Sequence, residues 1–400
     1  MKILVISNLY PPAYLGGYEL LCQQVVEELR QRGHRVSVLT SDHGNAASLA
    51  PQPSVHRDLQ LYLPFSEPGR VARGARWRTH QVNRRATAAR IAADRPELIF
   101  VWSQLRLTLG AAQAAEESGL PVCYTFNDEH LAGYLPRAWS PAPRAMIGAL
   151  ADRLLLGGIT TARLRLRHTT SISRRVRDNL VASGLHAAES RIIYQGIPVE
   201  RFPLKTDPGR IGSPARILFV GQLVPYKGAD TLIRAAHDLA AARGPDAIRL
   251  TVAGDGPGSH PAELRRLALE GPAQVEFLGR VPHAELPALY RRHDLFVFPS
   301  RWQEPFGLTH LEAMASGLPV VSTADGGHGE FLRDNQNALV FPKGNPEALA
   351  ARISALLDDP GLGKRLALAA RTMVDTDFSL ARYVTQLESW LDEVRRAPAA

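Results

Sequence analysis

The sequence contains few cysteines and no long apolar run. Cys22 and Cys123 are the only cysteines among 400 residues, too few for a disulfide framework or a cysteine zinc site, so we expect a reducing compartment. The longest apolar runs, such as 98–102, have the length of a strand, whereas a membrane-spanning helix needs about 20 apolar residues. Residues 1–10 are typical of a buried strand and not of a signal peptide. The sequence therefore indicates a cytoplasmic protein without a transmembrane segment.

Lysine is also scarce, and positive charge is unevenly distributed. Five lysines stand beside 42 arginines; residues 1–204 carry a net charge of +9, whereas residues 205–400 carry −1. The segment 69–95 alone has eight arginines and one aspartate, and we predict a basic helix or loop there. This asymmetry is compatible with a solvated arginine-rich face, as a GC-rich genome would produce, or with a face that meets an anionic acceptor or a membrane surface. Peripheral membrane contact through the first half therefore stays open.

The apolar pattern alternates between strand and helix and is repeated twice. The 45% hydrophobic and 22% charged residues are ordinary for a globular protein, and the length suits two domains. The first series places strands at 2–6, 36–39, 98–101 and 122–125; after a proline-rich linker, a second series begins at 217. We predict an α/β fold with two Rossmann-like, doubly wound domains that face each other across a cleft. Their predicted ranges are 1–203 and 204–376, followed by a terminal segment, 377–400, with a helix over 379–396.

One segment of the second half combines two glutamates with helix-start signals. Pro305 and Gly307 place Glu304 in a loop and Glu312 in the following helix, roughly 7–8 Å along its axis. Two carboxylates at that separation suit the two ends of one extended ligand better than a close acid/base pair. The backbone N–H groups of Phe306, Gly307 and Leu308 lie at the predicted helix N-terminus, where phosphate oxygens bind readily.

The spacing of these glutamates within PSRWQEPFGLTHLEAMASGLPVV resembles the E-x7-E motif of retaining glycosyltransferase family 4, whose members have the GT-B fold. Other short segments of the sequence also match motifs of this family. None of these matches is specific by itself, but together they follow the family order over nearly the whole chain. They are Gly16-Gly17 with Glu19, 32–34, Gly221-Gln222, Lys227-Gly228, 252–257, 277–279, and Gly326-Gly327 with Glu330.

The resemblance implies roles for individual residues in binding a nucleotide sugar. Glu304 would contact the donor sugar, and Glu312 would accept hydrogen bonds from the ribose hydroxyls. Lys227 would bind the diphosphate, with Gly16 and Gly17 approaching the same leaving group from the first domain. The donor-binding set that the resemblance implies also includes Gly221, Gln222, Arg280, Val281, Phe306, Gly307 and Leu308.

The resemblance also implies catalytic positions on the acceptor side, at Asn127 and Asp128. Many relatives have His where this chain has Asn127, and Arg where it has Gln222. Asn127 cannot act as a base near neutral pH. Front-face retention does not require a base, because the departing phosphate oxygen takes the acceptor proton.

A retaining, metal-independent hexosyl transfer from a nucleotide diphosphate sugar, UDP- or GDP-linked, is the implied reaction. The acceptor would be a carbohydrate, a lipid-linked molecule or a small molecule, with no further cofactor and no nucleic-acid partner. The one Asp-x-Asp pair, at 375–377, lies outside both predicted sheets, so no metal site is expected. Two alternatives stay open: a nucleotide-sugar epimerase of the same architecture, and a catalytically silent subunit that only binds sugar nucleotides.

Overall fold

Alternating strands and helices build two separate parallel sheets. The computed structural model describes residues 1–42, 51–65, 74–136 and 159–397. The chain divides into a first unit, Met1–Tyr194 with Val384–Ala400, and a second unit, Gln195–Tyr383. Because consecutive parallel strands need a crossover, most of the strands are followed by a helix within the described residues.

The first unit has a seven-stranded sheet in the order β3-β2-β1-β4-β5-β6-β7, and its central strands β1, β4 and β5 are almost wholly buried. The strands are β1 (Lys2–Ile6), β2 (Arg35–Ser41), β3 (Val55–Leu59), β4 (Leu98–Val101), β5 (Val122–Phe126), β6 (His168–Ser171) and β7 (Arg191–Ile192). The described helices of this unit are α1 (Gly17–Gln31), α2 (Ala75–Asp94), α3 (Gly110–Glu117) and α4 (Arg174–Ala182).

The second unit has a six-stranded sheet in the order β10-β9-β8-β11-β12-β13. The strands are β8 (Ala215–Val220), β9 (Ile248–Ala253), β10 (Gln274–Gly279), β11 (Leu295–Phe298), β12 (Val320–Ser322) and β13 (Leu339–Val340). The helices are α5 (Ala229–Arg243), α6 (His260–Ala268), α7 (Leu286–Arg291), α8 (Leu308–Ala315), α9 (Pro346–Asp358) and α10 (Pro360–Asp377).

A last helix, α11 (Leu380–Arg396), begins in the second unit and belongs to the first unit from Val384 onward. Within the first unit, Glu388 of this helix accepts hydrogen bonds from Arg32 at 2.9 Å and pairs with His34 at 2.6 Å. The helix therefore covers the end of α1 with a small ionic network.

The fold class expected from the sequence is confirmed, with differences in the smaller elements. The pattern did not predict the strands β3, β6, β7 and β13 or the helices α4, α7, α9 and α10. Residues 74–95 of the basic segment form the helix α2 and its C-terminal cap, whereas 69–73 lie outside the described residues. None of the helices in the described ranges combines the length and the apolar content needed to cross a membrane.

Candidate active site

A buried ion pair lies at the carboxyl edge of the second sheet. β8 and β11 are neighbouring parallel strands, so the loops that follow them start at the same edge. The loop after β8 contributes Lys227, and the loop after β11 contributes Glu304. The Lys227 ammonium donates to both carboxylate oxygens of Glu304, at 2.8 and 2.7 Å. Glu304 is only 5% exposed, so this contact is largely removed from water.

The loop around Glu304 is held by a serine and two glycines. The Ser300 hydroxyl donates to the Glu304 carboxylate at 2.6 Å, and the Gly327 N–H donates to the Glu304 carbonyl at 2.6 Å. A Cβ at Gly326 would lie 2.3 Å from both the backbone N and the backbone O of Glu304. Only glycine at 326 therefore lets the two loops approach this closely.

Aromatic rings surround the other side of the Lys227 ammonium. Its Nζ lies 5.4 Å from the ring centre of Phe298, 5.3 Å from that of Trp302 and 5.8 Å from that of Tyr226. Burial, followed by the nearby charge of Glu304, raises the pKa of Tyr226, so its hydroxyl keeps its proton at neutral pH. The ammonium is thus held between one carboxylate and three rings, where cation–π attraction adds to the ion pair.

Glu312 lies on α8 with two partners from the preceding segment. The Tyr290 hydroxyl donates to one carboxylate oxygen at 2.9 Å, and His283 Nε2 lies 3.1 Å from the other. Burial raises the pKa of Tyr290, which keeps this hydroxyl a donor. His283 was not among the residues predicted for the site, and the structure places it against Glu312.

The N-terminus of α8 lies between the two glutamates. Gly307 has a φ of 119° and no side chain caps the helix, so the first-turn N–H groups around Leu308 retain their partial positive charge. A Cβ at Gly307 would also lie 2.8 Å from Nδ1 of His310. A helix start without a side-chain cap suits an anion, which keeps Gly307 and Leu308 as a predicted anion site, and the neighbouring Phe306 is buried.

Two buried histidines lie behind this helix start. The rings of His310 and His328 are 5.2 Å apart, and His310 Nε2 lies 2.9 Å from the Ser322 hydroxyl. Burial lowers the pKa of both imidazoles, that of His310 well below its usual range. Both rings are therefore neutral near pH 7, and the positive charge beside Glu304 comes from Lys227.

The remaining predicted donor residues of the second unit follow β8 and β10. Gly221 and the exposed Gln222 come directly after β8. Arg280 and Val281 come directly after β10 and line a cavity of about 780 Å³, most of whose other lining residues belong to β8, β9 and β10. Within the described parts of the chain, no group of three or more His, Cys, Asp or Glu side chains could hold a metal ion.

The predicted residues of the first unit lie near the carboxyl ends of its strands. Gly16 caps α1, and its N–H donates to the carboxylate of Glu19 at 2.9 Å. Asn127, just after β5, donates to the Trp102 carbonyl at 2.7 Å. Asp128 pairs with the His130 ring. Burial would raise the pKa of Asp128, but the charge and hydrogen bonds of His130 outweigh it and the pKa is lowered.

Ser300, His283 and Tyr290, which contact the two glutamates, were not predicted from the sequence. Ser300, four residues before Glu304, is the one partner that a local pattern could have indicated. His283 and Tyr290 lie 29 and 22 residues from Glu312, and no short motif connects them.

Two family models match adjacent parts of the chain. "Glycosyltransferase Family 4" matches residues 15–201, and "Glycosyl transferases group 1" matches residues 202–373. The chain belongs to the family 4 glycosyltransferases. It is therefore an enzyme that transfers sugar units, and the two models meet beside the linker that joins its two sheets.

A glycogen synthase and an inositol-phosphate glycosyltransferase are among the relatives of this chain. A glycogen synthase of Mycobacterium tuberculosis is 29% identical over 94% of this chain and 91% of its own length. A D-inositol 3-phosphate glycosyltransferase of Salinispora arenicola is 39% identical over 44% of this chain and 42% of its own.

Solved structures share the GT-B fold of this glycosyltransferase. Anabaena HepE in complex with UDP and glucose has a TM-score of 0.71 at 22% identity, covering 98% of this chain and 99% of that one. Sucrose-phosphate synthase of Thermosynechococcus elongatus has a TM-score of 0.74 at 23% identity, covering 98% of each.

Replacing Gly326 by alanine tests the close approach of the two loops. We expect Gly326→Ala to lower the free energy of unfolding by about 1–3 kcal/mol, because the new Cβ must push the Glu304 backbone away. Denaturant unfolding measures the change. Gly133→Ala is the control, since nothing lies within 4 Å of a Cβ there. Equal stability of the two variants would contradict the tight fit at Gly326.

Replacing Glu19 by glutamine tests a buried carboxyl in the first unit. Burial raises the pKa of Glu19 from 4.5 to about 7. Between these values the folded protein keeps a proton that the unfolded chain releases, so the contribution of Glu19 to stability falls as pH rises. We expect the stability of the wild type, relative to Glu19→Gln, to fall by about 3 kcal/mol between pH 4.5 and 8.

Denaturant unfolding of both proteins at each pH measures this difference, and the pH dependence of all other groups cancels in the comparison. A difference that stays constant across this range would mean that the Glu19 carboxyl titrates alike in the folded and unfolded chain.

Proposed function

We propose that this glycosyltransferase moves a hexosyl unit from a nucleotide diphosphate sugar to an acceptor hydroxyl, with retained anomeric configuration and without a metal ion. The observation that carries the proposal is the Lys227–Glu304 pair beside the uncapped N-terminus of α8. The ammonium is largely buried, and the first N–H groups of α8 have no side-chain cap. This combination suits a diphosphate, and the adjacent carboxylate suits sugar hydroxyls.

The proposed bond changes need no group beyond the two substrates and this chain. The bond between the anomeric carbon and the phosphate oxygen breaks, and negative charge develops on the departing diphosphate. Lys227 and the N–H groups of Gly307 and Leu308 stabilise that charge. The acceptor oxygen attacks from the same face, and its proton passes to the departing phosphate oxygen. Retention follows because both bonds lie on one face of the sugar.

Each glutamate has a separate task in the proposed reaction. Glu304 accepts hydrogen bonds from hydroxyls of the donor sugar once the diphosphate takes over the Lys227 ammonium. Glu312 accepts hydrogen bonds from the ribose, and Tyr290 and His283 hold its carboxylate in place. Arg280 and Val281 lie on the same side as His283 and are proposed to contact the nucleobase.

The ligands of one structural neighbour indicate which donor to test first. HepE was crystallised with UDP and glucose, which makes a UDP-linked hexose the first donor to test here. A GDP-linked hexose is the second. Contacts of Gly16, Gly17, Asn127 and Asp128 with donor or acceptor stay predictions.

Contact with a membrane surface also stays a prediction, and one helix supports it. The outward side of α2 exposes Trp77, Val82, Arg78 and Arg85, with Trp77 52% exposed. Arginines beside an aromatic ring suit the headgroups of an anionic bilayer, where the protein would meet a lipid-linked acceptor, but α2 lacks the continuous apolar face of a helix that lies within the membrane interface. A cytoplasmic enzyme that docks on the inner face of a membrane would present such a side.

Replacing each glutamate by glutamine separates turnover from binding. We expect Glu304→Gln to lower the rate of nucleotide release from the donor by roughly 100-fold or more, because it removes a contact to the reacting sugar, with little change in nucleotide affinity. We expect Glu312→Gln to weaken nucleotide binding by about 10-fold or more, because it removes a charged acceptor. Calorimetry measures binding of UDP and GDP, and a coupled assay measures nucleotide release.

Glu347→Gln, at an exposed position of the same unit, is the matched control. Equal losses of turnover and affinity in both variants would contradict the separate tasks. Epimer formation without an acceptor would indicate the epimerase alternative. Nucleotide binding without any release from UDP- or GDP-sugars would indicate a silent subunit.

A further inference from the structure

Two large aromatic side chains are exposed directly beside the Lys227–Glu304 pair. Tyr226 is 45% exposed and Trp302 is 38% exposed, and their ring centres lie 5.4 Å apart in an edge-to-face arrangement. Two adjacent rings in water are unfavourable, because an aromatic side chain gains free energy when its large apolar surface is buried. Such a pair at the edge of a polar site points to a ligand with an apolar face.

Hydrogen bonds of the surrounding backbone fix the positions of Tyr226 and Trp302, in addition to the contact between the two rings. The Arg301 N–H donates to the Tyr226 carbonyl at 2.8 Å, and the Ser300 hydroxyl lies 3.2 Å from the same oxygen. The Trp302 N–H donates to Ser300 at 3.2 Å, and the Glu304 N–H donates to the Trp302 carbonyl at 3.0 Å. The loops after β8 and β11 are thus bonded to one another at the rings, which lowers the entropic cost of binding against them.

A glycine keeps the turn that carries Tyr226 close to the end of β11. Gly228 has a φ of +72°, and a Cβ there would lie 2.1 Å from the Pro299 carbonyl oxygen. The position of Tyr226 relative to Trp302 is therefore set by backbone packing. This surface, made of Tyr226 and Trp302, is called the aromatic platform below.

The platform lies at the sugar end of the proposed donor site and not at the base end. Both rings are within 6 Å of the Lys227 ammonium, which itself contacts Glu304. Glu304 is the proposed contact of the donor sugar, whereas Glu312, within α8, is the proposed contact of the ribose. A ligand on the platform is thus next to the reacting sugar.

We propose that the aromatic platform binds a pyranose ring, with the exposed face of one aromatic ring stacked against the C–H groups of one sugar face and the other ring, tilted by 65°, bordering the sugar. The inference rests on the proposed function and extends it, because it names where a second sugar contact is made. A pyranose has one face rich in C–H groups and hydroxyls at its edge. The rings meet the first feature, and the nearby Lys227 and Glu304 offer polar partners for the second. The pyranose comes either from the acceptor or from the donor itself.

Saturation-transfer NMR on the full chain tests the platform directly. The probes are methyl α-D-glucopyranoside and methyl α-D-mannopyranoside, each with UDP or GDP present and absent. Glucitol, an open chain with similar hydroxyls and no ring, is the comparison. We expect pyranoside signals strongest at C–H protons of one face, and no comparable signal from glucitol.

Three variants separate stacking from folding. We expect Trp302→Ala to weaken pyranoside binding by roughly 3- to 10-fold, and Trp302→Phe, which keeps a ring, by about 2-fold or less. Tyr226→Ala should weaken it in the same direction. Trp77→Ala removes another exposed tryptophan, on α2 of the first unit, and should leave pyranoside binding unchanged.

Calorimetry with UDP-glucose, GDP-mannose and the free nucleotides distinguishes the two sources of the pyranose. Weaker binding of the methyl pyranosides to Trp302→Ala, at unchanged sugar-nucleotide affinity, assigns the platform to the acceptor. If Trp302→Ala instead weakens binding of the sugar nucleotide but not of the methyl pyranosides or the free nucleotide, the platform binds the donor sugar. Both results support the platform.

Other outcomes would overturn the proposal that the aromatic platform binds a pyranose. Equal affinities of wild type, Trp302→Ala and Tyr226→Ala for every pyranoside and sugar nucleotide would show that no sugar stacks there. An equal loss of UDP-glucose and free UDP in Trp302→Ala would show that the rings hold the nucleotide instead. If the wild type binds no nucleotide at all, the proposed function fails, and the NMR arm without nucleotide still decides on the platform.

Discussion

The ion pair between Lys227 and Glu304 is the interaction on which the rest of the site depends. Removing either partner of a buried pair leaves an uncompensated charge, which typically costs about 3–5 kcal/mol. The pair forms only because β8 and β11 are neighbours and their following loops start at one edge of the sheet. Gly326 lets the backbone of Glu304 approach closely, and the Ser300 hydroxyl then fixes the carboxylate that holds the ammonium.

The charge balance around this pair explains how a ligand would enter it. His310 and His328 lie close by, but burial keeps both neutral, so they do not compete with Lys227 for an anion. A diphosphate brings more negative charge than one carboxylate and also binds the free N–H groups of α8. In the proposed reaction the ammonium turns to the diphosphate, and sugar hydroxyls replace it at Glu304. The exposed rings of Trp302 and Tyr226 extend this surface toward a second sugar contact.

The sequence allowed the main elements of the fold and the identity of both glutamates to be predicted. Pro305 and Gly307 placed the start of α8 within one residue of its position in the structure, because their backbone preferences are strong and local. The short strands β7 and β13 were missed, since two residues show no periodicity. The contact between Lys227 and Glu304 spans 77 residues, and it follows from sheet topology and not from any local pattern.

Crystal structures of the full chain with UDP and with GDP would show where the diphosphate binds. We expect the diphosphate within hydrogen-bond distance of the Lys227 ammonium and of the N–H groups of Gly307 and Leu308, with the ribose at Glu312. A nucleotide bound elsewhere, with Lys227 still paired only to Glu304, would contradict this expectation.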